Sequence, residues 1–137
     1  MADPLARLLG PRADAAYALL RITAGLLFSF HGVQKILGLF TSSQPDIGSQ
    51  VWFGGLIELI GGLLIAVGLF TTYAAFLCSG TMAVAYTQFH WKLQLGAQLF
   101  PAVNKGELAL VYSVLFLFIA CHGAGRWSFD ARRRSVR

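Results

Sequence analysis

The chain has 137 residues, 56% of them hydrophobic and only 12% charged, whereas an ordinary soluble domain carries roughly a quarter charged residues. Its formal net charge of +5 comes from bases crowded at the two ends, which suits anionic lipid headgroups and argues against a nucleic-acid partner, since no basic patch is interleaved with aromatics on a soluble face. The two cysteines, Cys78 and Cys121, sit inside apolar runs and give no spacing for a disulfide framework or a metal knuckle.

The stretch from Met1 to Arg21 lacks a small-residue cleavage pattern and reads as uncleaved. A first span is predicted from Asp14 to Gly38, entered after Pro11 and left ahead of the polar segment Thr41 to Gln50. Between Glu58 and Lys92 lie 33 residues without Asp, Glu, Lys or Arg. As one helix this run would be about 50 Å long, against a hydrocarbon core of about 30 Å. A break at Thr71-Thr72 divides it into a second span from Val51 to Phe70 and a third from Tyr73 to His90, joined by a tight turn. The fourth span runs from Gly106 to His122, after Pro101, and is stopped by Gly123 and Gly125.

Only helices or a closed barrel satisfy the backbone in a membrane, and these runs lack the alternation of barrel strands. The expected fold is therefore all-α, an integral membrane four-helix bundle forming a single domain over residues 1–137. Arg7, Arg12 and Arg21 flank the first span and Arg126, Arg132, Arg133, Arg134 and Arg137 follow the fourth, so both termini are expected to be cytoplasmic. Trp52, Trp91 and Trp127 fall at span ends, as an interfacial belt requires.

Chemistry concentrates on two helix faces. In the first span Arg21, Gly25, Phe28, Gly32 and Lys35 form a stripe flanked by His31. In the second, Glu58 stands on a face with Gly54, Gly61, Gly62 and Gly68, where another helix can approach closely. A carboxylate within the membrane must be protonated, paired or wetted. Antiparallel packing puts Glu58 level with Leu26 to Phe30, making His31 and Lys35 its expected partners. His90 ends the third span and Glu107 begins the fourth on the same side, so His31, Lys35, Glu58, His90 and Glu107 can converge on one outward pocket, with Tyr86 and Met82 beneath.

Such a pocket fits a quinone headgroup or small polar substrate held by His and Lys, with Glu58 or His31 passing protons. The alternatives are a polar staple that fixes helix register and a line of contact with a partner subunit. His122 suits the C-terminal dipole of the fourth span. Cys78 and Cys121 are best read as apolar fillers, a redox pair being the alternative. The three histidines do not share a depth, so neither metal nor haem is expected.

Taken in order, these residues resemble the DoxX family of small four-helix bacterial membrane proteins. The resemblance rests on Arg21, Gly25, Phe28, His31, Gly32 and Lys35, then on Glu58, Gly61, Gly62 and Gly68, and finally on Lys105-Gly106-Glu107 and Gly123, Gly125, Ser128 and Asp130. It implies a multi-pass protein of the bacterial cytoplasmic (inner) membrane that is redox-associated, the family being named for a subunit linked to thiosulfate:quinone oxidation. The expected function is an accessory or quinone-interacting subunit of a membrane oxidoreductase complex, with lipid and other membrane subunits as partners. A non-catalytic scaffold and a small proton-coupled transporter are the alternatives. The resemblance also suggests a pairing of Arg21 with Asp130 if the tail folds back.

Overall fold

The structure is a computed structural model that describes residues 3–135. Among these there is no strand. Helix α1 (Pro4–Leu9) starts on a proline, with the Asp3 carboxylate accepting from Leu5 N–H at 3.0 Å. A 3-10 turn, Gly10–Arg12, leads into α2 (Ala13–Leu37), whose 25 residues end at Gly38 in the left-handed region (φ 67°). That length, about 37 Å, exceeds the hydrocarbon thickness. Helix α3 (Gln50–Val67) is capped by the Ser49 hydroxyl, which accepts from Trp52 N–H at 3.2 Å.

The α3 helix closes on Gly68 (φ 72°), with Leu69 N–H reaching Leu64 O at 2.9 Å, the 6→1 bond of a glycine stop. Helix α4 (Thr71–Ala85) begins three residues later. The reversal thus falls at Gly68–Phe70 rather than at Thr71-Thr72, because glycine takes the left-handed conformation that a threonine resists. Helix α4 passes without interruption into a π-helix, Tyr86–Trp91. An irregular segment follows, holding a 3-10 turn (Gly96–Leu99) and the short α5 (Pro101–Asn104). Helix α6 (Glu107–His122) then crosses back, and α7 (Phe129–Ser135) closes the described chain.

Helix α2 packs on α3, α3 on α4 and α4 on α6. The α2–α3 seam is made of small residues. A Cβ on Gly25 would lie 2.6 Å from Ala66 N and Gly62 O, and one on Gly62 would lie 2.6 Å from Gly25 O and Ser29 N. Backbones meet there, the arrangement by which helices associate in lipid without a hydrophobic driving force. On the opposite side Phe28 of α2 meets Tyr112 and Phe116 of α6 at ring-centroid distances of 5.1 and 4.7 Å, so bulky rings close the bundle. Large apolar side chains such as Leu27, Phe76, Leu77 and Val114 are exposed, while Ala18, Ala75 and Ile65 are fully buried. This outward greasiness is that of a protein solvated by lipid. Among the described residues, the continuous helical run Pro4–Leu37, which ends in α2, and helix α3 are the two long and apolar enough to cross a membrane by length and composition, and α6 is a shorter apolar helix.

Candidate functional site

The α2–α3 seam sets the register of the polar residues. Gly62 lies against Gly25 and Ser29, Gly32 against Leu59, and Gly55 against Lys35. Glu58 therefore sits about a turn further along α2 than the level of Leu26 to Phe30 expected from span lengths, because α3 ends early, at Gly68. At Gly55 the missing side chain lets the Lys35 stem cross α3; a Cβ there would be 2.7 Å from Lys35 Cβ. The Lys35 ammonium then donates to Glu58 Oε1 at 2.6 Å. Glu58 is 2% exposed, whereas the Lys35 side chain is 34% exposed. The second carboxylate oxygen, Oε2, is buried and has no hydrogen-bond partner in the protein.

Two hollows meet at this pair. The smaller, about 230 Å³, is walled by His31, Lys35, Glu58 and His90, with Met82 and Tyr112 as part of its apolar lining. The larger, about 610 Å³, is a groove between α3 and α4 that also reaches Lys35, Glu58, Met82 and His90. Of the expected partners of Glu58, Lys35 makes the bond. His31 shares the smaller hollow and stands edge-on to Tyr112, ring centroids 6.5 Å apart. His90 is positioned by the π-helix, its Nδ1 lying 3.4 Å from Asn104 O.

Two of the expected residues lie elsewhere. Tyr86 packs over Gly106 and stacks on Trp91 at 6.3 Å, outside the lining of either hollow. Glu107 is exposed at the start of α6, where its charge complements the helix dipole. In its place the smaller hollow receives Lys105.

Buried Asn104 was not singled out by sequence. It donates to Gln98 O at 3.0 Å and accepts from Gly106 N–H at 2.8 Å, tying the segment before α6 to the start of that helix. Its one sequence signal is an asparagine just ahead of a glycine at a helix start.

A second polar cluster lies at the opposite end of the bundle. Arg21 is fully buried and donates to the carbonyls of Ile65 (2.5 Å), Ala66 (2.7 Å) and Trp127 (2.8 Å). Asp130 accepts from Phe70 N–H (3.0 Å), Thr71 N–H (2.9 Å) and the Thr71 hydroxyl (2.9 Å). The tail does fold back, Asp130 N–H donating to Gly68 O at 2.9 Å. The two side chains do not form an ion pair; a cation takes the carbonyl end of α3 and an anion the amide start of α4, as helix dipoles dictate.

Partial burial would raise the Asp130 carboxyl. The Thr71 N–H and hydroxyl, the Phe70 N–H and the nearby Arg133 charge outweigh this and hold it below the usual carboxylate range. Beside this cluster His122 packs on Tyr17, ring centroids 3.9 Å apart, and the Tyr17 hydroxyl donates to Gly123 O at 2.6 Å. Cys78 is buried beside Gly61 and Cys121 is exposed, both as free thiols.

An all-helical lipid-facing bundle with an ion pair sheltered between its helices defines an integral membrane protein of the small helical class. The chain belongs to the DoxX family, whose model matches residues 16–91, from α2 through the π-helix. It is 40% identical over 117 residues to an uncharacterized protein of Haemophilus influenzae, a match covering 82% of this chain and 87% of that one. An uncharacterized membrane protein of Mycobacterium tuberculosis is 28% identical over 143 residues, covering 92% of this chain and 86% of its own. No solved structure matches the chain.

Proposed function

We propose that this DoxX-family protein is a multi-pass protein of the bacterial inner membrane, with both termini cytoplasmic, that serves as an accessory, quinone-interacting subunit of a membrane oxidoreductase complex. The observation that carries this reading is the Lys35–Glu58 pair standing in the wall shared by the two hollows, with one carboxylate oxygen left without a protein partner. A buried carboxylate in lipid is retained at a cost, and an unfilled acceptor there suits the hydroxyl of a bound quinol or a proton that the carboxyl itself takes up.

The residues suit a quinone headgroup chemically. Lys35, His31 and His90 offer donors for the ring carbonyls, while Phe28, Met82 and Tyr112 supply the apolar surface a ring requires. Glu58 and the histidines can hold and pass the protons that quinone reduction takes up; the electrons belong to the partner subunit. The test is equilibrium binding of a short-chain quinone to purified protein in nanodiscs. Binding is expected to weaken at least tenfold in Glu58→Gln and in His31→Ala, about 1.4 kcal/mol. Unchanged binding in both variants removes the site.

A further inference from the structure

The groove between α3 and α4 is larger than a headgroup site requires, and two glycines in its lining set it apart from the rest of the bundle. A Cβ on Gly25, Gly55 or Gly62 would come within 2.6–2.7 Å of atoms on a neighbouring helix, whereas one on Gly54 of α3 or Gly80 of α4 would meet nothing within 4 Å. Glycine weakens a helix unless the space it leaves is used. Helix packing uses that space at the first three positions. At Gly54 and Gly80 it becomes the floor of a groove of about 610 Å³, a size typical of ligand sites.

The groove has one polar end and one apolar length. Lys35, Gln50, Glu58 and His90 belong to the first, and the exposed side chains of Phe76, Leu77 and Val84 border the second, where the Thr81 hydroxyl is taken up by Leu77 O at 2.9 Å, so it opens sideways toward lipid. A comparison lies on the same molecule. The hollow on α6 bordered by Leu110, Val111, Val114, Leu115 and Phe118 is of similar size, about 540 Å³, but has neither a polar group nor a glycine in its lining. That surface is ordinary lipid contact. The α3–α4 groove instead includes Glu58, 2% exposed with Oε2 unpartnered.

We propose that the α3–α4 groove binds the hydrocarbon tail of an isoprenoid quinone, with Gly54 and Gly80 setting the width of tail it admits. The quinone identity rests on the headgroup reading above, whereas the tail site rests on the groove itself. A helix from a second copy of the chain would press an apolar surface onto Lys35, Gln50 and His90. A tail carrying a polar head matches both ends.

The test uses two prenyl-chain probes bearing a diazirine midway along the tail, one with a benzoquinone head and one with a plain alcohol head. Each is photolysed in nanodiscs with wild type, Gly80→Leu, Gly54→Leu and Glu58→Gln, and the labelled peptides are mapped by mass spectrometry. Wild type is expected to be labelled several-fold more at Phe76, Leu77 and Val84 than at Leu110, Val111 and Val114, and both leucine variants to lose that excess while keeping the wild-type melting temperature.

Equal labelling of the two faces, or an excess that survives both leucine variants, overturns the tail site. A wild-type dimer split by Gly80→Leu, without groove labelling, overturns it in favour of a second copy. An excess that is the same for both heads and indifferent to Glu58→Gln upholds the groove and removes the headgroup reading.

Discussion

Glu58 and Lys35 admit two roles that one experiment separates. Glu58→Gln leaves Lys35 facing a neutral amide. With Lys35 a third exposed, the loss of stability should be about 1–3 kcal/mol, less than for a fully buried pair. Replacing both, Lys35→Met with Glu58→Leu, removes the charges together and should restore most of that loss in thermal unfolding. Quinone binding should not return. A pair that acts as a staple alone would make the double variant indistinguishable from wild type in every assay.

Asp130 gives a prediction in pH. Its carboxyl is lowered in the folded protein, so its stabilisation is fully present above the ordinary carboxylate range, near 3.9, and is lost as pH falls through the lowered folded value. Asp130→Ala should cost about 0.5–2 kcal/mol at neutral pH, as for a lost N-cap. The melting-temperature gap from wild type should close in strongly acidic buffer. Of these residues, Glu58 and Lys35 were legible in sequence because a charge inside an apolar run is conspicuous and demands a partner. Asn104 was not, since it binds backbone groups whose path no side-chain pattern encodes.

At the scale of helices, glycine position decides the effect of adding a methyl group. Gly25→Ala would drive a Cβ into the backbone of Ala66 and Gly62, and should cost about 1–3 kcal/mol or prevent assembly. Gly54→Ala meets open space and should be neutral or raise helix stability by up to about 1 kcal/mol. Circular dichroism melts in one detergent compare the two.

The helices themselves were readable from hydropathy, because lipid imposes a minimum apolar length on each span. Their ends were less so. The π-helix at Tyr86–Trp91 leaves no periodic signature in six residues, yet it positions His90 beside Asn104. Its place next to both hollows fits the frequent occurrence of such widened turns at functional sites. At the α3–α4 reversal Gly68 is a local signal for the end of α3, whereas the Asp130 carboxylate that caps the start of α4 lies 60 residues away from Phe70, a distance local sequence cannot report.

For the whole molecule, the distribution of bases predicts one orientation. Alkaline phosphatase fused after Gln44 or Gln98 should be active, and fusions at either terminus inactive; the reverse pattern would place the Lys35–Glu58 hollow on the cytoplasmic side. The bundle and the sheltered Lys35–Glu58 pair followed from composition and charge. The closure of the tail onto the Gly68–Thr71 turn did not, because it joins irregular backbone to irregular backbone.

That closure bears on biogenesis. Translation delivers Arg21 and both arms of the α3–α4 hairpin well before Trp127 and Asp130 emerge, so Arg21 can meet the Ile65 and Ala66 carbonyls early while the Phe70 and Thr71 amides wait for Asp130. A chain halted before Trp127 would keep helices α2 to α6 and leave the Phe70 and Thr71 amides without the Asp130 carboxylate. The segment from Trp127 to Asp130 thus supplies partners that the hairpin cannot find within itself.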